Sequence, residues 1–152
     1  TGSVSLGTVQ SVLPRVFPEG GDVACVVGGQ SIEQPFRIGA VAFHPYVPAN
    51  VLLPQCDWTI CHGGQNTIVE SLMHSVPLIV FPGPIWERRY NAQKVEQAGA
   101  GLTGEVDKFT AEWLRTALAR YSECALQAAA LGERIRSYGG AAAAVAAIEK
   151  WG

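Results

Sequence analysis

Aspartate is scarce in this chain. Only Asp22, Asp57 and Asp107 occur, so no Asp-x-Asp pair can clamp a divalent ion, and no metal site is expected. Charge is scarce too: 16% of the residues are Asp, Glu, Lys or Arg, and the formal net charge is -2. That balance gives no general pull toward nucleic acid or an anionic membrane. No apolar run is long enough to span a bilayer, and no signal-peptide pattern opens the sequence, so a cytoplasmic setting is expected. Cysteines stand at 25, 56, 61 and 124 without zinc-ligand spacing. They read as small buried residues in a reducing compartment, with a single disulfide left open.

What is present suits a compact fold. The 152 residues, 48% of them hydrophobic, fit one domain with a full core. Residues 1–152 show no internal repeat and no low-complexity linker. The start at strand-like Val4-Ser5-Leu6, with the one methionine at Met73, reads as an excised piece, and a partner domain is expected.

The richest stretch runs from Cys56 to Leu72. Trp58 to Cys61 is short, apolar and rich in strand formers. Gly63 and Gly64 permit a sharp turn and a close backbone approach. A helix is expected next, with Ile68, Val69, Leu72, Met73 and Val76 on its apolar face and Thr67, Glu70 and His74 on another stripe. The first amides of such a helix lack internal partners and its dipole favours an anion there. His62 and Thr67 can add donors, and Glu70 can accept from sugar hydroxyls. Phosphate at the turn beside a diol describes a nucleotide. The same spacing also fits two glycines that only make a tight strand–helix turn.

His62-Gly63-Gly64-Gln65-Asn66-Thr67-Ile68-Val69-Glu70, then Ser75-Val76-Pro77-Leu78-Ile79-Val80-Phe81-Pro82 and Asn91-Ala92, resembles the donor-binding signature of GT-B glycosyltransferases. The likeness is to the UDP-glycosyltransferase-like group, including bacterial antibiotic and macrolide glycosyltransferases, and spans essentially the whole chain. It implies an α/β fold: a Rossmann-like open parallel sheet of about six strands flanked by helices, the C-terminal half of a GT-B enzyme. It also implies an N-terminal acceptor-binding domain outside this chain. His62, Gly63, Gly64, Asn66 and Thr67, with Thr8 from the Ser5-Leu6-Gly7-Thr8 opening, would hold the donor diphosphate. Glu70 would hold the ribose, and Tyr46 and Val47 would stack on and pair with the base.

Relatives often carry an Asp/Glu-Gln pair before Asn-Ala, holding donor-sugar hydroxyls. Here Glu87 and Arg88 take those places. Arg88 cannot offer the acceptor of a Gln and brings a positive fork suited to carboxylate or phosphate. An acidic sugar is one reading of it, and a solvated basic pair at a helix start is another.

Along the chain, strands are expected at Val4–Leu6, Asp22–Val27, Val41–Phe43 and Leu78–Phe81, with a short sixth near Leu102. Helices are expected at Val9–Val16 with Pro14 ending or kinking it, after Thr110 as N-cap, over Glu123–Tyr138, and along the final alanine run. Val26-Val27-Gly28-Gly29-Gln30 lacks the full dinucleotide fingerprint, so an NAD site is rejected. The expected function is binding of a nucleotide-diphosphate-sugar, a UDP- or TDP-sugar, for metal-independent glycosyl transfer to a small-molecule or lipid hydroxyl. No cofactor is expected; the nucleotide-sugar is substrate. The general base would come from the N-terminal domain, leaving this piece inactive alone and without catalytic residues of its own. A nucleotide-sugar epimerase of the same fold, or a non-catalytic nucleotide-binding module, are the alternatives.

Overall fold

The computed structural model describes residues 3–19 and 25–151. Its first helix, α1, is Leu6–Val16, where a strand was expected over Val4–Leu6. Ser5 decides this: its hydroxyl accepts the Thr8 amide at 3.1 Å and caps the helix. Val9, Val12 and Leu13 are buried on one face, and that helical period extends upstream through Leu6. Pro14 is carried in the last turn, and Phe17 closes the helix by donating to Leu13 O at 2.9 Å.

The first half of the sheet is β1 (Cys25–Gly28), β2 (Phe36–Ile38) and β3 (Val41–His44), in the order β1-β3-β2. The expected start of β1 at Asp22 lies outside the described residues. β1 and β3 are parallel, whereas β2 was not expected and runs antiparallel to β3 through a turn at Gly39. Among the described residues the strands fall in two sheets of three, one of them mixed, where one open parallel sheet of about six was expected. A short helix α2 (Ala49–Leu52) and a tight turn over Leu53–Gln55 lead to the second sheet.

That second sheet is β4 (Thr59–Cys61), β5 (Leu78–Val80) and β6 (Gly101–Thr103), all parallel, in the order β4-β5-β6. Helix α3 (Gln65–Met73) joins β4 to β5, and α4 (Trp86–Gln97) joins β5 to β6. Alternation along the central strand sends its side chains to two cores. Ile79 and Phe81 pack with α1 and with Ala111, Leu114 and Ala117 of α5 (Ala111–Leu118). Leu78 and Val80 pack with α3, α4 and Ala128 of α6 (Tyr121–Ser137). Helices thus cover both faces, as a buried parallel sheet requires, and the α/β class holds. The Thr110 hydroxyl caps α5 as expected, accepting the Trp113 amide at 3.2 Å.

Helix α3 buries Ile68, Ser71 and Leu72, a narrower face than expected. Met73 is exposed, and Ser71 takes the inner position, its hydroxyl donating to Val76 O at 3.0 Å and sharing a 2.6 Å hydrogen bond with the Thr59 hydroxyl. Gly132 lets α6 lie against α3, since a Cβ there would strike Leu72 O. Helix α7 (Gly140–Glu149) buries none of its residues. All four cysteines are free thiols, and of these only Cys124 is buried, against the expectation of four buried ones.

Candidate functional site

The site lies where β4 and β5 end and α3 and α4 begin. Cys61 closes β4, and its carbonyl accepts the Phe81 amide at 2.8 Å, so both strands finish level. Gly63 then turns the chain at φ 88°, a left-handed conformation that glycine takes without a Cβ clash. Space also demands glycine: a Cβ would lie 2.9 Å from Arg88 O and 3.1 Å from Val80 Cγ1. Asn91 fixes the turn from α4, donating from Nδ2 to Gly63 O at 3.0 Å.

Gly64 is the N-cap of α3 and offers no side chain to its amides. The first helical hydrogen bond comes from Ile68, to Gly64 O at 3.2 Å. The amides of Gln65, Asn66 and Thr67 therefore precede the helical ladder, the arrangement that favours an anion. The His62 ring folds over this start, with Nε2 3.0 Å from where a Gly64 Cβ would stand. Burial, and then the nearby Arg88 charge, hold the His62 pKa below its ordinary value. At neutral pH the ring is neutral, one nitrogen donating and the other accepting.

Thr67 is half-buried on the first turn, while Asn66 and Glu70 are exposed and one turn apart. Glu87 is exposed in the first turn of α4 and Arg88 beside it is half-buried. Arg89 is tied down, donating from Nε to Gly83 O at 2.8 Å. On the other sheet, Tyr46 is 79% exposed in the loop after β3, free for a planar ligand to stack on. Val47 is half-buried against the end of β1, its Cγ2 3.2 Å from where a Gly28 Cβ would be.

Thr8 is placed differently from the expectation. It sits in the first turn of α1 rather than in a loop after a strand, with its amide and hydroxyl both engaged by Ser5. Two roles were not assigned from the sequence. Asn91 is the strut of the glycine turn, and its signal was the Asn-Ala pair. Trp86, 76% exposed, stacks on Tyr90 with ring centroids 5.6 Å apart, and Lys94 lies 5.3 Å over the Tyr90 ring. Among the described residues no cluster of His, Cys, Asp and Glu could hold a metal ion.

A parallel sheet covered by helices on both faces, with a glycine turn after β4 that opens α3 beside the start of α4, is the C-terminal half of the GT-B glycosyltransferase fold. The glycotransferase of kitacinnamycin matches over 97% of this chain and 40% of its own, with a TM-score of 0.84 and 25% identity. Residues 33–144 match the family described as "Erythromycin biosynthesis protein CIII-like, C-terminal domain", and the chain belongs to it. The 3-alpha-mycarosylerythronolide B desosaminyl transferase of Saccharopolyspora erythraea is 27% identical over 122 residues, 78% of this chain and 28% of that protein. The tylactone mycaminosyltransferase of Streptomyces fradiae is 32% identical over 91 residues, 60% of this chain and 19% of that protein. The chain thus spans under a third of the length of these two relatives.

Proposed function

We propose that this chain is the donor-binding half of a glycosyltransferase and holds a nucleotide-diphosphate-sugar, UDP- or TDP-linked, at the start of α3. The observation that carries the reading is the uncapped α3 N-terminus, flanked by a neutral His62 and a half-buried Arg88. The relatives' names, each a transferase of a sugar group, support it. Gly63, Gly64, Asn66 and Thr67 meet the diphosphate with His62, Glu70 accepts from the ribose, and Tyr46 and Val47 hold the base. Glu87 accepts from donor-sugar hydroxyls.

Stabilising the departing nucleoside diphosphate is the electrostatic half of glycosyl transfer. The acceptor site and the base that deprotonates its hydroxyl belong to an N-terminal domain, and the whole enzyme works in the cytoplasm. His62 is a phosphate contact in this reading, not that base.

Calorimetric titration of UDP, TDP and GDP into the protein tests this, with Glu70→Ala and His62→Ala beside the wild type. One nucleotide should bind, and each change should weaken it by about 1–3 kcal/mol, the cost of a lost polar contact. Unchanged affinity in both variants would remove the site from the start of α3.

A further inference from the structure

Motif order assigns Arg88 to the donor sugar, and the fold sets its main chain against the glycine turn. The main chain of Arg88 packs on the glycine turn: a Cβ at Gly63 would lie 2.9 Å from Arg88 O and 3.4 Å from Arg88 Cα. Asn91 Nδ2, one turn further along α4, holds Gly63 O at 3.0 Å, so this start of α4 is pinned against the start of α3. Burial first, and then the positive charge of Arg88, lower the His62 pKa.

Arg88 also lacks a counter-charge. The ion pairs among the described residues are Arg120–Glu123 and Arg136–Glu133, and Arg88 makes none. Arg89, its neighbour, is spent on Gly83 O. A guanidinium without a counter-charge of its own is available to an incoming anion. The planar fork suits two phosphate oxygens at once.

We propose that Arg88 grips the diphosphate of the donor, not its sugar, and supplies the positive charge on which departure of the nucleoside diphosphate depends. This rests on the donor-site reading above and goes beyond it in moving Arg88 from sugar recognition to leaving-group binding. The sugar then meets Glu87 alone of the pair, so donor preference is set without a guanidinium.

Competition and titration with inorganic pyrophosphate separate the two roles, because it carries neither base nor sugar. UDP or TDP, whichever the wild type binds, and pyrophosphate are titrated into wild type, Arg88→Lys and Arg88→Gln, with thermal midpoints recorded for each. In Arg88→Gln both ligands should weaken by about tenfold to a hundredfold at an unchanged midpoint, as loss of a charge-assisted bond requires. Arg88→Lys should fall between, keeping the charge and losing the fork. If Arg88→Gln binds the nucleotide and pyrophosphate as tightly as wild type, the proposal fails and the donor-site reading stands. If wild type binds no nucleoside diphosphate, both fall together.

Discussion

The two sheets differ in how they are protected. In β4-β5-β6 the central strand is wholly buried, with Leu78, Ile79 and Val80 each at 0% exposure, and helices lie on both faces. In β1-β3-β2 the edge strand β2 leaves all three residues exposed. Phe36 there stacks on Phe43 of β3, centroids 4.6 Å apart at 4°. The half that carries the glycine turn is thus the one with a strand buried at every residue. The half that offers Tyr46 depends on a thin edge and a loop. A phosphate site needs fixed amides, whereas a stacking surface tolerates adjustment.

Core truncation should show the contrast at its largest. Leu78→Ala leaves a cavity between α3, α4 and α6 and should cost about 2–5 kcal/mol in urea unfolding. Ile38→Ala, on a strand already 38% exposed at that residue, should cost about 1 kcal/mol or less. Equal costs would break the comparison.

Gly63→Ala adds a Cβ at φ 88° against Arg88 O. The left-handed strain alone costs about 1–2 kcal/mol, and the start of α4 must move. Nucleotide binding should be lost while circular dichroism keeps the native helix signal. Binding retained at wild-type strength would show that the turn is not part of the site.

Ser71→Ala removes both inner hydrogen bonds and strands the Thr59 hydroxyl, which should cost about 1–3 kcal/mol. Adding Thr59→Val should recover part of that loss, and a double variant no better than the single one would assign the cost to packing instead.

The smallest effect is a pH dependence. Because the folded His62 pKa lies below the ordinary 6.5, the unfolded chain takes up a proton that the fold resists. Stability should therefore fall as pH drops through about 6.5 toward the lowered folded value. Urea midpoints at pH 7.0 and 5.5 should differ less in His62→Gln than in wild type; an equal difference would place the titration elsewhere.

Local pattern carried much of this architecture. The apolar run before Gly63 and the helix after Gly64 were legible because short-range periodicity and turn chemistry specify them. The first element was not, since three residues, Val4 to Leu6, cannot distinguish strand from helix. Ser5 as a cap and the spacing of Val9, Val12 and Leu13 settled it as helix. β2 escaped because its three exposed residues carry no burial signal and pair only through β3. Met73 was expected on the apolar face of α3 and is exposed, while Ser71, assigned to neither stripe, is buried because the fold supplies its partner on β4. The candidate site residues around the glycine turn were named from one contiguous motif. The contact of Arg88 with Gly63 joins positions far apart in sequence, and no window of residues encodes it.

The clamp on Gly63 is made by the carbonyl and Cα of Arg88, with Asn91 as the side-chain strut. Position 88 is held by its backbone whatever side chain it bears. A substitution there can change what the pocket accepts without disturbing how the pocket is built. Side-chain charge and architecture are uncoupled at this residue, so single substitutions can tune the charge at the start of α3 without rebuilding the turn.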